Sequence, residues 1–323
     1  MQQLSISFLE KKDRPEMVKV CDISFNKAVT DPAHSDFFSN YFDKDPSYRC
    51  SDTLVLKRDG RIISAVTVLR RKIILDGIKI PAGCIANVCT LPEERHKGRI
   101  KLLMEKSAGV MREKGFQIGF LLGRPELYSR FGWENITGKS IEARGPLPGG
   151  RGGHNISVRK AEVKDFHTVK SLYDKNYTRL NGFFERSRKH WESFLIKFRS
   201  LYLGEFRVFI LEKDRKPRGY ACIDEKSKTV LEMFFADKPE SGYFTAVYDF
   251  LKAGGLKLNY YDPLYITELE KLFGKITYPE INHKMFILPS GRLSLGGREI
   301  TSAKHLKKMF GEFNYTFSLC DKF

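Results

Sequence analysis

The chain has 323 residues, of which 41% are hydrophobic and 13% aromatic, so it can bury a packed core and is not a disordered chain. Its formal net charge of +17 favours an anionic partner such as a nucleic acid, an anionic membrane or a polyphosphate cofactor. The basic excess is spread along the sequence, without a basic tail or a block of only lysine and arginine. A dedicated nucleic-acid face is therefore the weaker interpretation.

The cysteines and the hydropathy pattern indicate the compartment. Six cysteines occur without CxxC pairs or metal-site spacing, which indicates reduced thiols and predicts no bound metal. The N-terminal segment lacks the apolar region of a secretory signal, and no run approaches the roughly 18 apolar residues that a membrane span needs. We therefore expect a cytoplasmic protein without a membrane partner.

The first half of the sequence predicts a sheet with one long helix. Asp-Gly pairs at 59–60 and 76–77 separate β-rich runs, which is a hairpin signal and predicts an antiparallel meander. From Arg99 the apolar residues follow helical spacing until Gly115, and 116–122 is an apolar run of strand length. A meander, a helix and a buried strand predict an α/β domain with a mixed, mostly antiparallel sheet.

A stretch rich in glycine and proline at 145–153 marks the predicted boundary between two domains, 1–147 and 148–285. The second part repeats the element order of the first, a strand, helices, a meander and a helix, without repeating its sequence. This order favours a structural duplication. Residues 286–323 are predicted to form a short C-terminal segment with a hairpin at 289–292, a short helix and a final strand.

The loop before the long helix has the features of an anion site. A strand ending in Val88, Cys89 and Thr90 runs into a basic loop that contains Gly98, and the helix begins directly afterwards. A helix N-terminus exposes unpaired N–H groups at the positive end of the helix dipole, and glycine lets a phosphate approach the backbone. The same residues also fit a surface turn with solvated side chains. The candidate ligands are Arg95, His96, Lys97, Gly98, Arg99, Ile100 and Lys101.

Two motifs resemble a known family. The pattern Val88-x3-Pro92-x2-Arg95-x2-Gly98-x-Ile100 resembles motif A of the GNAT superfamily of acetyl-CoA-dependent N-acyltransferases, although Ile100 stands where Gly or Ala is usual. The segment 127–133, Leu-Tyr-Ser-Arg-Phe-Gly-Trp, is similar to one that follows the fifth strand in this family, above all in the enhanced-intracellular-survival (Eis) branch. In that branch two GNAT-like halves are fused, and Arg186-Ser-x3-Trp191 resembles part of the second half.

The resemblance implies the fold, the cofactor and the site. It implies an α/β (α+β) protein of two tandem GNAT-like domains, each a mixed, mostly antiparallel sheet flanked by helices, with acetyl-CoA bound only to the first. Residues 88–90 would hold the pantetheine arm, 95–101 the pyrophosphate, and Gly123 would line the opposite wall. Tyr128 would be the general acid for the leaving thiolate. The C-terminal carboxylate of Phe323 would be the base, as in the Eis branch.

The predicted function is transfer of acetyl from acetyl-CoA to a primary amine of a small-molecule or peptide acceptor, by direct attack in a ternary complex. Homo-oligomerisation stays open. The alternative is a non-catalytic acyl-CoA sensor or an RNA-associated protein with the same fold.

Each candidate catalytic residue also has a purely structural interpretation. Tyr128 fits an aromatic anchor, and Phe323 fits a frayed apolar end. Cys89 is expected in the core, because no His or Asp is spaced to activate it as a nucleophile. Glu93 and Glu94 are nearby carboxylates that sit among cations and fit solvated side chains.

Overall fold

Two seven-stranded sheets organise the chain in the computed structural model, which describes residues 3–25, 38, 42, 45–145, 147, 155–191, 206–302 and 305–308. With strands numbered along the chain, the first sheet contains, in spatial order, β1 (Leu4–Phe8), β2 (Thr53–Arg58), β3 (Arg61–Leu75), β4 (Ile78–Thr90), β5 (Ile118–Leu122), β14 (Glu280–Ile287) and β6 (Glu134–Lys139). The second contains β13 (Lys275–Thr277), β7 (Ile141–Arg144), β12 (Gly255–Leu258), β11 (Thr229–Phe235), β10 (Lys216–Asp224), β9 (Phe206–Lys213) and β8 (Ile156–Lys160).

Helices and a small hairpin complete the described architecture. The helices are α1 (Arg14–Phe25), α2 (Arg99–Glu113), α3 (Pro125–Tyr128), α4 (Phe166–Asn176), α5 (Ser241–Leu251) and α6 (Pro263–Leu272), and the hairpin joins β15 (Leu293–Leu295) to β16 (Arg298–Ile300). Both large sheets are antiparallel except for one parallel pair in each, β4 with β5 and β11 with β12. The predicted fold class, two mixed and mostly antiparallel sheets flanked by helices, is confirmed.

The local signals of the first half produce the elements they predicted. Asp59 and Asp76 adopt φ values of +49° and +51° and each precedes a glycine with positive φ, which is the conformation that a tight type I′ hairpin requires. The helix predicted from Arg99 is α2, and Gly115 follows its end with φ +71°. One of the helices predicted for the second part, from its helical pattern over 188–199, lies mostly outside the described residues.

The two sheets exchange strands. β7 precedes the predicted boundary at residue 147 but pairs with β12 in the second sheet. β14 begins before residue 286, and it inserts between β5 and β6 in the first sheet, where Phe286 faces Phe120 and Glu134. Each sheet therefore contains a strand from the far side of the chain, and the predicted boundaries remain a prediction.

The hairpin expected at 289–292 is wrong. Those residues form a turn between β14 and β15, which do not pair with each other. The hairpin of this segment turns instead at Gly296 and Gly297, whose φ values are +54° and +78°. Two consecutive glycines adopt positive φ at low cost, so they make the tighter turn.

Arg186 holds the core of the second half through a fully buried ion pair. Its guanidinium donates to both carboxylate oxygens of Glu232 at 2.8 and 2.7 Å, and both side chains are inaccessible to solvent. The guanidinium also lies 4.0 Å from the ring centre of Tyr173 and 4.8 Å from that of Trp191. The two residues of the Arg186 and Trp191 motif therefore meet in one buried cluster.

We predict that Arg186→Met lowers the free energy of unfolding by about 3–5 kcal/mol, because it leaves the Glu232 charge buried without its partner. Urea unfolding measures the effect. The double variant Arg186→Met/Glu232→Met should recover part of the loss, because it removes the buried charge but also the carboxylate that accepts a hydrogen bond from the buried Tyr220 hydroxyl. Arg144→Met, which removes an exposed pair with Glu142, should cost at most about 1 kcal/mol. A loss for Arg186→Met as small as that control would contradict the assignment.

Candidate active site

A gap opens between two strands of the first sheet. The parallel pairing of β4 with β5 ends at Ile85 and Leu121, although β4 continues to Thr90. β5 ends at Leu122, and β4 has a bulge at the same level: the φ of Asn87 is +51°, and the register between β4 and β3 shifts at this point. Among the described residues, the end of β4 beyond the bulge therefore has no strand partner on the β5 side.

The N-terminus of α2 lies at the end of this strand. Its N-cap residue is Gly98, with φ +74°. Glycine has no side chain that could accept hydrogen bonds from the N–H groups of the first turn. A Cβ added at Gly98 would meet no atom of the described residues within 4 Å, so among these residues nothing blocks the approach to the N–H groups. Gly83 and Gly119 allow α2 to lie directly on the sheet, since a Cβ at either would come within 3.0 Å of Met111.

Glu94 organises the cations of the loop. Its side chain is only 1% exposed and accepts hydrogen bonds from Lys97 Nζ at 3.2 Å, Arg99 Nε at 3.0 Å and Arg58. Burial raises the pKa of Glu94, but the hydrogen bonds from Arg99 and Lys97 and the charge of Arg58 outweigh it and hold that pKa below its usual value. Glu94 is thus not a solvated carboxylate, and its lowered pKa makes it a weak base.

The remaining loop residues have different surroundings. Arg95 Nη2 donates to the Ser24 carbonyl of α1 at 2.7 Å, so this side chain links the loop to α1. His96 is exposed with φ +61°. Lys101 is exposed and lies 3.9 Å from Glu105, whereas Ile100 is half-buried. The structure therefore brings Lys97, Gly98 and Arg99 together more closely than the rest of the candidate loop.

The end of β4 presents backbone rather than reactive side chains. Cys89 is buried, with its Sγ 3.5 Å from Cys21 Sγ on α1, as expected for a core residue. The Thr90 hydroxyl is 2.7 Å from the Ser64 hydroxyl. Val88 is half-buried and packs against the core on the α2 side of the sheet.

Tyr128 lies against the end of β5. A Cβ at Gly123 would stand 2.8 Å from Tyr128 Cδ2 and closer still to Cε2, so the ring occupies the space that this glycine leaves. Burial raises the pKa of Tyr128 to about 12, against the opposing charge of Arg124. The phenol is therefore protonated at neutral pH and has a proton to donate, although the raised pKa makes it a weaker acid than an ordinary tyrosine. Phe323, the expected base, lies outside the described residues.

The sequence analysis missed Asn87. Its side chain is 7% exposed, and Nδ2 has no hydrogen-bond partner among the residues that the structure describes. Asparagine is depleted in strands and tolerates positive φ better than most residues, so its position inside the β-rich run 85–90 was the available signal. It sits where β4 and β5 part, which makes it a candidate positioning residue.

Comparisons with known proteins agree with this geometry. Residues 5–136 match the family model described as an acetyltransferase (GNAT) domain. A GCN5-related N-acetyltransferase from Kribbella flavida matches with 17% identity and a TM-score of 0.66, over 90% of this chain and 71% of that chain. Eis1 from Mycobacterium abscessus matches with 13% identity and a TM-score of 0.60, over 89% of this chain and 74% of that chain.

A third structure, the N-myristoyltransferase of Saccharomyces cerevisiae with bound myristoyl-CoA, matches with 10% identity and a TM-score of 0.53, over 89% of this chain and 79% of that chain. No curated protein sequence matches. Residues 5–136 are therefore a GNAT acetyltransferase domain. The fold of the chain resembles that of Eis, in agreement with the motif at 127–133.

The described residues lack two further features. No helix among them is long and apolar enough to cross a membrane. Within the same ranges, no group of three or more His, Cys, Asp or Glu side chains is arranged to hold a metal ion.

The positive φ of Asn87 leads to a prediction about the free energy of unfolding. Asn87→Ala should be about 1 kcal/mol less stable than Asn87→Gly, because a non-glycine residue other than Asn or Asp is strained in the left-handed region. Thermal or urea unfolding of the two variants measures the difference, and both delete the same amide. Equal stabilities would show that Asn87 does not adopt positive φ.

Proposed function

We propose that the protein transfers an acetyl group from acetyl-CoA to a primary amine of a small-molecule or peptide acceptor, by direct attack in a ternary complex. One observation carries the proposal: the uncapped N-terminus of α2 coincides with the gap between β4 and β5. The match of residues 5–136 to the GNAT domain supports it, as does the fold shared with a myristoyl-CoA complex.

The residues at the gap fit coenzyme A. The first-turn amides of α2 would bind the pyrophosphate at the positive end of the helix dipole, and the open space over Gly98 admits it. Lys97 and Arg99, held by Glu94, would add positive charge. The edge of 88–90 that faces away from β3 would bind the pantetheine arm as a further strand does, with Gly123 on the opposite wall.

Tyr128 would then protonate the departing thiolate. The neutral amine attacks the thioester carbonyl carbon, so that the C–N bond forms, the C–S bond breaks and the nitrogen loses a proton to a base. Tyr128 supplies a proton to the sulfur and regains one from solvent. The base remains the expectation drawn from the Eis resemblance, the carboxylate of Phe323, because the lowered pKa of Glu94 disfavours that alternative.

The second sheet repeats the arrangement without the anion site, which supports one cofactor per chain. β11, α5 and the parallel strand β12 follow each other as β4, α2 and β5 do. However, the N-cap of α5 is Glu240, whose carboxylate lies 2.7 Å from Lys213 Nζ. The carboxylate of Glu240 would repel a phosphate at the N-terminus of α5. The corresponding N-cap residue of α2 is a glycine, which carries no charge. We propose that only the domain 1–147 binds acetyl-CoA, and that 148–285 does not.

Thiol release from acetyl-CoA with a panel of primary amines tests the activity. The proposal predicts release that depends on one class of amine. Coenzyme A binding without release for any amine would favour the acyl-CoA sensor. Binding of RNA without coenzyme A would favour the RNA-associated protein.

Two glycines at opposite ends of α2 give a matched test of the anion site. Gly98 and Gly115 have φ values of +74° and +71°, and a Cβ at either meets no atom within 4 Å. Gly98→Ala and Gly115→Ala should therefore lose similar stability, about 1 kcal/mol each. Only Gly98→Ala should weaken coenzyme A binding, by about tenfold or more in calorimetry, because its methyl group occupies the phosphate approach. Equal affinities of the two variants would exclude the site.

Tyr128→Phe should lower kcat about 100-fold or more while the Kd for coenzyme A stays unchanged, because the ring is kept and only the proton donor is lost. Tyr278→Phe, at an exposed tyrosine, is the control. In the wild type, kcat should show no decline as the pH passes about 10, where an ordinary tyrosine ionises, because the pKa of Tyr128 is raised to about 12. Full turnover by Tyr128→Phe would leave the residue only its packing role.

A further inference from the structure

A cavity lies between the two halves of the chain, away from the gap between β4 and β5 where acetyl transfer is proposed. Its volume is about 780 Å³, within the range of roughly 300–1,000 Å³ that is typical of small-molecule sites. Pro81 on β4 lines it, and Thr90 stands at the other end of the same strand. The β4–β5 gap begins near Asn87, six residues from Pro81, so at about 3.3 Å per residue the transfer centre lies roughly 20 Å along the strand from this lining residue, and a small ligand at Pro81 does not occupy it.

Positive side chains dominate the lining. Among the described residues, six cations line the cavity against two carboxylates, Asp174 and Glu185, and the cations are Arg70, Arg71, Lys72, Lys79, Lys170 and Arg186. His190 also lines it, but burial and then the charge of Arg71 lower its pKa to about 3, against the raising effect of Asp45. The histidine is therefore neutral at physiological pH, and the charge of the cavity comes from lysine and arginine.

Some of these cations are balanced within the protein. Arg71 donates to the buried carboxylate of Asp45 at 2.7 Å, and Arg186 is held by Glu232. Lys170 pairs with Asp174 one turn along α4. These pairs form walls of the cavity and contribute little net charge.

Two carboxylates are each shared by two cations. Lys72 Nζ and Lys79 Nζ lie 3.0 and 2.7 Å from the two oxygens of Glu185. Arg70 and Lys114 both contact the same oxygen of Asp52, at 3.1 and 3.2 Å. Each trio carries one uncompensated positive charge, so about two positive charges remain beside the cavity.

The exposed fractions of the side chains show which cations can reorient to contact a ligand. The side chains of Lys72, Lys79 and Arg70 are 56%, 45% and 43% exposed, whereas their carboxylate partners are more buried. Lysine has a flexible side chain that ends in a compact charge. One lysine can therefore leave Glu185, which the other lysine still pairs, and bind a ligand anion at low cost. A positively charged acceptor amine would be repelled here.

We propose that this cavity binds a small organic dianion, such as a phosphate monoester or a dicarboxylate, at an effector site separate from the acetyl-transfer centre. The two uncompensated charges set the charge of the ligand, and the volume leaves room for an organic group beyond the anion. The proposal does not depend on acetyl transfer.

Calorimetry with the full chain at pH 8 tests it, with glucose 6-phosphate and glutarate as dianions and with glucose and glutaramide as their neutral counterparts. At least one dianion should bind with a submillimolar Kd, and the neutral compounds should not bind. The dianion that binds identifies the source, phosphate or carboxylate. Absence of binding by both dianions would overturn the proposal.

Variants locate the binding. Lys72→Gln/Lys79→Gln should weaken it about tenfold or more, and the matched control Lys216→Gln/Lys226→Gln, at exposed lysines of β10 and its hairpin, should change it less than about twofold. Glu185→Gln should tighten binding at least about threefold, because it releases both lysines, a gain that a misfolded variant would not show. Equal loss in the control pair would overturn the proposal.

Saturating coenzyme A gives a last discrimination. The dianion should bind equally well with and without coenzyme A, since the two sites lie at opposite ends of β4. Displacement of the dianion by coenzyme A would assign it to the N-terminus of α2 and overturn the proposal. If coenzyme A does not bind at all, the proposed function fails, and the effect of Lys72 and Lys79 on dianion binding still decides this inference.

Discussion

The parting of β4 from β5 is the constraint on which the rest of the proposed site depends. A continued parallel ladder would satisfy the backbone of residues 88–90 internally and leave no edge for a substrate. β5 ends at Leu122, at the level of the bulge at Asn87 in β4, while α2 stays on the sheet because Gly83 and Gly119 carry no side chains. As a result, a free strand edge and an uncapped helix N-terminus meet, and Tyr128 packs at the end of the neighbouring strand.

The strand exchange gives the second half a structural role even without a cofactor. β14 lies between β5 and β6 and pairs with both. β5, which forms one wall of the gap, is therefore held in place by a strand that follows the second sheet in the sequence. The buried pair of Arg186 and Glu232 stabilises that second half. The same interface creates the cavity with excess positive charge. We propose two local uses for part of the net charge of +17, at the loop before α2 and beside this cavity.

Features with a local cause could be predicted from the sequence, and features with a distant partner could not. Both Asp-Gly hairpins and the limits of α2 follow from the conformations that these residues prefer, so short-range patterns were sufficient. The insertion of β14 depends on contacts with residues more than 140 positions away, which no local pattern encodes. The same reason explains Glu94, which appeared solvated in the sequence but is buried by Arg58 from another strand.

Site residues divide in the same way. The glycine of the loop could be predicted because a helix start after a basic turn has a local signature. Arg95 could not, because its partner is a carbonyl at the end of α1. Asn87 required knowledge of the bulge, which arises from the register between two strands.

Amide hydrogen exchange with and without coenzyme A tests the central claim most directly. We predict slower exchange on binding at residues 88–90 and 98–101, and unchanged exchange at the start of α5, where the N-cap residue is the carboxylate-bearing Glu240. Unchanged exchange at the start of α2 would contradict the account, and so would protection at the start of α5.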